Sequence, residues 1–347
     1  MEFLRIIVMG SIVLWWRPSP AEPVSFRARA EVCDGVIKAL NSYIFPAVAE
    51  RMKAEAEKQR PVYLSISDRD VLARSMTEDL RRVSQDKHLN VMAHSELPTE
   101  APSAKTGESD AERGAFAAYG FYDVRRLPGN IGYIDLHSFN YGPDAAAYLS
   151  AVMTLAGDTD ALIIDVRENH GGLPQMAEMM AGYLLGRREL IADVRERKLD
   201  GTFTVERRYS IPMAGGTRYT RPVYILTSHA TFSAAEYFTY VLQSLGRAKV
   251  VGEDTGGGAN SGDVFPLADG FSIFVPTGSI EGAVTHENWD GTGVQPNVKT
   301  TGSAALETAY RLALGTVKTD TLSNRESQML KAALADPGAA LKSSVQF

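Results

Sequence analysis

A single cysteine, Cys33, stands in a chain of 347 residues, which excludes an intrachain disulfide framework and a cysteine-built zinc site. Cys33 follows Val32 near the start of a helical segment and reads as a half-buried structural thiol. Excess positive charge is also missing: 36 Lys and Arg against 42 Asp and Glu give a net charge of −6. Nucleic acid is therefore not expected as a main partner. Long hydrophobic runs are absent except for Ile6 to Trp16, which has the length of an export signal and is short for a bilayer. Ser19-Pro20-Ala21 supplies a small-residue cleavage site, although Glu2 offsets Arg5 in the flank before it. Residues 1–22 are accordingly expected to be a signal peptide, with a periplasmic or extracellular product and no integral membrane segment after its removal. Internal repeats, low-complexity tracts and the Gly-x-Gly-x-x-Gly and Walker spacings of phosphate cradles are not found.

What is present suits a soluble two-part chain, with 44% hydrophobic and 22% charged residues. Val36, Leu40, Tyr43, Ile44, Val48 and Met52 fall on one helical face, and Pro46 separates two helices. Ser67 and Asp68 cap a further helical pattern through Val71, Leu72, Met76, Leu80 and Val83. Residues 23–94 are thus expected to form a small helical domain and the polar residues 95–115 a linker. From 116 to 347 strands and helices alternate: strands at 130–136, 161–165 and 223–227, helices at 144–155 and 173–185, and a charged strand pair at 190–211. Two helical stretches near 304–314 and 323–341 close the chain. Such alternation means an α/β core.

Two strand-to-helix turns in this core carry chemistry. In Pro222-Val-Tyr-Ile-Leu-Thr-Ser-His-Ala-Thr-Phe-Ser-Ala-Ala-Glu236 an apolar run gives way to a helical pattern at Ser233. A serine there lies beside unpaired backbone N–H groups at the positive end of a helix dipole, as an attacking alkoxide requires. An ordinary helix N-cap is the alternative. In Ala161-Leu-Ile-Ile-Asp-Val-Arg-Glu-Asn-His-Gly-Gly-Leu173 glycines uncover the backbone at a second helix mouth. The two turns can each give one N–H to a single oxyanion hole. A serine nucleophile needs a base, and His88, His94, His137, His170, His229 and His286 are the candidates.

These segments together resemble the C-terminal-processing (tail-specific) serine peptidase superfamily. They are most similar to the branch that includes interphotoreceptor retinoid-binding protein modules and the tricorn-type core. The resemblance runs from about residue 32 to 298. It rests on Tyr43-Ile-Phe-Pro46, Asp86-Lys-His-Leu89, the stretch 119–134, the 165–172 turn, Thr231-Phe-Ser-Ala-Ala-Glu236, Gly252-Glu-Asp-Thr-Gly-Gly-Gly258 and Gly293-Val-Gln-Pro-Asn297. It implies a crotonase-like ββα-superhelical core preceded by a small helical bundle, with Ser233 as nucleophile. One branch of the superfamily pairs that serine with a lysine, but the corresponding position here is Gly258. The other branch supplies a histidine from the helical domain, which maps onto His88. The third member maps onto Asp290, where relatives usually carry the longer glutamate, with Glu287 as a fallback. Gly172 and Ala234 correspond to the hole donors, and His170 stands where relatives carry a glycine. Lys87 and Glu236 flank these positions as supporting residues.

The implied activity is a serine endopeptidase acting through a Ser-His-Asp triad and an acyl-enzyme on peptides or unfolded protein, with neither cofactor nor metal. The interval from His88 to Tyr119 is too short for a PDZ domain. A catalytically weak binding module for apolar ligands or peptides on the same fold is the alternative, and ester or thioester hydrolysis is a third. Oligomeric state and cleavage specificity are not encoded in any feature noted above.

Overall fold

The computed structural model describes residues 23–93, 118–198, 200–212, 218–320 and 322–342. The expected leader and linker lie outside them. Helices α1 (Phe26–Ala39), α2 (Pro46–Ser65) and α3 (Arg69–Ser84) come first. Ser25 caps α1 through its side chain and Asp68 caps α3, while Pro46 takes the first position of α2, where its missing N–H costs nothing. Left-handed Gln85 ends α3. Strand β1 (Asn90–Ala93) follows within a few residues.

The core begins with the antiparallel pair β2 (Phe121–Leu127) and β3 (Ile131–Leu136). Next come α4 (Ala145–Ala156), β4 (Ala161–Asp165), α5 (Pro174–Leu185), β5 (Leu190–Arg197) and β6 (Phe203–Tyr209). These are followed by β7 (Val223–Thr227), α6 (Ala234–Ser244), β8 (Lys249–Gly252), β9 (Gly262–Pro266), β10 (Phe271–Pro276) and β11 (Gly278–Gly282). Short β12 (Val298–Lys299) precedes α7 (Gly302–Leu314), α8 (Asn324–Ala335) and α9 (Pro337–Lys342). The expected closing helix splits because Pro337 disfavours helical backbone at Asp336, so α9 starts anew.

The central sheet has the order β12-β8-β7-β4-β3-β2, parallel from β3 to β12. Strands β4 and β7 are buried along their whole length, which is why they read as unbroken apolar runs. One face packs Ile134, Leu162, Ile164 and Ile225 against α4, α5 and α6, and the other packs Tyr133, Ile163 and Tyr224 against α7 and α8. The chain is therefore mixed α/β with an N-terminal helical region.

Strands β9 and β10 were not evident in the sequence, because Pro266 and left-handed Asp269 interrupt the pattern. Their position matters. Strand β1 pairs with β10, Asn90 opposite Phe274, and so joins the sheet β1-β10-β9. Phe271, Ile273 and Val275 are buried among Val32, Leu40, Met52 and Leu72. The helices and this piece of the core thus share one hydrophobic cluster, which fixes what lies just before β1.

Candidate active site

Ser233 sits between β7 and α6 with φ 55° and ψ −121°, in a region that L-residues seldom occupy. An N-cap residue is normally extended, so helix capping alone does not account for this conformation. Neighbouring turns hold it. Phe232 N–H donates to the Asn169 carbonyl at 3.0 Å, and Thr231 Oγ1 donates to the Val166 carbonyl at 2.8 Å. Ser228 Oγ donates to the Arg167 carbonyl at 2.6 Å. Gly171 is at the point of closest approach, since a Cβ there would lie 2.7 Å from Ser233 Cβ.

The glycine turn is hung on Asn169, a fully buried residue that the motif reading passed over. Its Nδ2 donates to the Leu136 carbonyl and its Oδ1 accepts from Gly171 N–H, each at 2.9 Å. His170, at the position usually glycine, points outward with Nδ1 3.1 Å from the Ala230 carbonyl, and so adds a tie between the two turns. Gly172 has φ 135° and forms a parallel bridge with Phe139, through Phe139 N–H to the Gly171 carbonyl and Leu173 N–H to the Phe139 carbonyl. That pattern turns the Gly172 N–H to the opposite side. Among the described residues neither it nor the N–H of Ala234, first residue of α6, has an acceptor.

Glu236, fully buried, locks this arrangement to the next loop. Its carboxylate accepts from Ser233 N–H at 2.9 Å and from Gly257 and Gly258 N–H at 2.7 Å, and also from Thr255 Oγ1. Burial pushes its pKa up against the pull of these donors. Lys87 Nζ donates to the Gly256 carbonyl at 2.6 Å, tying the segment before β1 to the same loop.

His88 enters from that segment. Its side chain is 10% exposed, and its ring packs 4.6 Å from the Phe232 ring and 5.8 Å from that of Phe274. No hydrogen bond joins it to Ser233, a looseness common in substrate-free sites. Its Nδ1 is buried without a partner, 3.9 Å from Asp86 Oδ1. Burial lowers the His88 pKa, the Asp86 charge opposes that, and Arg81 adds to it. Asp290 completes the cluster: ligating atoms of Asp86, His88 and Asp290 all lie within 4.8 Å of one another. The Asp290 carboxyl accepts from Ala259 N–H at 3.2 Å, and its pKa is pushed up to about 6 by burial and then by the charge of Asp86.

Asp86 is 1% exposed and already accepts from Tyr43 Oη, Asn260 Nδ2 and His88 N–H. With its lone pairs so committed, this is a poor cation cage and a better acid–base cluster. Glu287 is exposed, and among the described residues its carboxylate meets neither His88 nor Ser233. Of the other histidines, His137 contacts Asp135, His229 and His286 are exposed, and His94 lies outside the described residues. A cavity of about 820 Å³ is lined by Pro128, Leu330 and Ala333 at the opposite end and face of the central sheet. It is remote from this chemistry.

Comparison with known proteins bears on the family and the fold. Residues 130–300 match the model of peptidase family S41. A carboxyl-terminal-processing protease of Synechocystis sp. is 30% identical over 179 residues, covering 50% of this chain and 39% of that protein. The matches span only 33–39% of the length of such curated relatives. Among solved structures, a lipoprotein from Streptococcus agalactiae superposes with TM-score 0.58 at 18% identity, covering 90% of this chain and 99% of that one. The tricorn protease gives TM-score 0.52 at 14% identity over 88% of this chain and 37% of its own, a likeness of fold. Residues 130–300 thus carry the sequence pattern of a peptidase family S41 domain.

Proposed function

We propose that the protein is a serine peptidase, with Ser233 as nucleophile, His88 as general base and Asp290 as the acid that orients the imidazole. The observation that carries this reading is the packing of a buried imidazole, His88, on the residue preceding a serine held at φ 55°. Ser233 Oγ attacks a peptide carbonyl as its proton passes to His88 Nε2. The Gly172 and Ala234 N–H groups receive the tetrahedral oxyanion, each worth on the order of 3 kcal/mol to the transition state. The amine leaves with the proton from His88, and water then hydrolyses the acyl-enzyme with His88 again as base. Lys87 and Glu236 support the reaction by fixing the 255–258 loop between base and nucleophile.

The substrate class is peptide or unfolded protein, in keeping with the processing proteases to which the domain is similar. The helical unit carries the base and the α/β core the serine, so substrate lies in the groove between them. Residues 1–22 direct export, which N-terminal sequencing of the mature protein checks; among the described residues no helix is long and apolar enough to cross a membrane.

The test is labelling by a fluorophosphonate, with hydrolysis of casein, a p-nitrophenyl ester and an acyl-CoA measured side by side. Labelling that Ser233→Ala abolishes, together with casein cleavage, is expected. A wild-type chain that takes no label and cleaves none of the three would leave only a binding module.

A further inference from the structure

We propose that Asp86 is a second positioning acid for His88, acting beside Asp290 in a carboxylate pair that Asn260 also faces. The inference rests on the peptidase reading above and adds a residue to it. Asp290 alone is a strained solution, since an aspartate reaches only a short way and this one is also held by Ala259 N–H. Asp86 is the acid placed by the backbone of the base itself: Asp86 Oδ1 accepts from His88 N–H at 2.9 Å and lies 3.9 Å from His88 Nδ1. A small rotation of the ring turns that gap into an Nδ1–H donation, which a buried ring nitrogen without a partner requires.

Asn260 faces both acids. It is 1% exposed, its Nδ2 donates to Asp86 Oδ2 at 3.0 Å, and it lies beside Asp290, whose charged form it favours. Its Oδ1 is buried with no donor. Two carboxylates this close resist holding two charges, which adds to burial in raising the Asp290 pKa to about 6. Asp86 is the member of the pair that faces the imidazole Nδ1. When the Ser233 proton arrives at Nε2, the imidazolium donates Nδ1–H to Asp86, whose oxygens are fixed from behind by Tyr43 Oη at 3.1 Å. Other charged groups facing the cluster are Arg81 from α3 and Lys87, both cationic, so they do not replace the missing anion.

The experiment follows the rate of fluorophosphonate labelling against pH in the full-length protein, with Tm recorded for each variant. The acid limb of that profile reports His88. Asp86→Asn is expected to slow labelling at least about 10-fold and to move the limb down by roughly half a unit or more, because a facing negative charge is gone. Asp86→Glu should return the limb towards its original position. Tyr43→Phe, of nearly equal volume, takes a donor from Asp86 and leaves more charge on it, so the limb should move up by about 0.3 unit. A limb that stays in place in a folded Asp86→Asn overturns the proposal, whatever happens to Tm. If Asp86→Asn does not fold, an unmoved limb in Tyr43→Phe overturns it and a raised limb supports it. Wild-type protein that takes no label at Ser233 would instead remove the peptidase reading itself.

Discussion

The imidazole of His88 fills the space that a side chain at residue 258 would need: a Cβ on Gly258 would lie 2.7 Å from His88 Cε1 and 2.4 Å from the Phe232 ring. The position that corresponds to the lysine of one branch of the superfamily is therefore closed by the His88 ring. Gly258→Ala should keep the fold, because the backbone there needs no left-handed conformation, while pushing His88 off line. A displacement near 1 Å costs about 100-fold in rate. We expect kcat/KM on casein-derived peptides to fall by about that factor with Tm changed by only a few degrees; unchanged kcat/KM would mean His88 is not the base.

Gly172→Ala should damage both stability and rate. Its φ of 135° excludes most side chains, and a Cβ would stand 2.5 Å from the Phe139 carbonyl oxygen, which belongs to backbone and cannot swing away. A loss of about 10²- to 10³-fold in labelling rate is expected if its N–H serves the oxyanion. Gly246→Ala is the control. It has φ 65° but open space around it, so it should cost roughly 1 kcal/mol in stability and nothing in rate.

Asp290 links activity to stability through pH. Its carboxyl is raised from the ordinary 3.8 to about 6, so the folded chain holds a proton that the unfolded chain has lost between those values. Stability must then fall as pH rises through that window and stay lowered above it. Asp290→Asn removes this loss while its oxygen still accepts from Ala259 N–H. Its Tm should exceed that of the wild type at pH 8, and the gap should shrink towards pH 4; labelling should drop sharply at the same time. A mutant equal to wild type in Tm at both pH values would show that the carboxyl titrates normally.

Glu236→Gln replaces an acceptor carboxylate by an amide in front of Gly257 and Gly258 N–H, Ser233 N–H and Thr255 Oγ1. An amide offers only one acceptor oxygen, so buried N–H groups are left unpaired at about 1–3 kcal/mol each. Amide exchange of Gly257 and Gly258 should speed up markedly, with loss of labelling. Protection equal to wild type would contradict the latch role.

How much of this was legible follows from where each partner lies in the chain. The turns at 161–172 and 223–236 were readable because strand, turn and helix signals are local and buried parallel strands are uniformly apolar. Asp290 and Glu236 came from motif resemblance. Asp86 lay inside a quoted motif, and the signal for it was its spacing of two from His88. Asn169 and Asn260 had no local signature: Asn260 is defined by Asp86, far back in the chain, and Asn169 by Leu136 on a neighbouring strand. Strand β1 has four residues and finds its partner β10 across most of the core, beyond the reach of any periodicity in a short window.

That pairing of β1 with β10 also bears on the order of events. During synthesis a chain extended through β8 already contains Ser233, but Asn90–Ala93 finds its strand partner only once the 262–276 hairpin emerges. On the proposed mechanism, a chain not yet extended through that hairpin carries a serine with no docked imidazole. On the same mechanism, the order of strands along the chain thus delays activity until that hairpin is made.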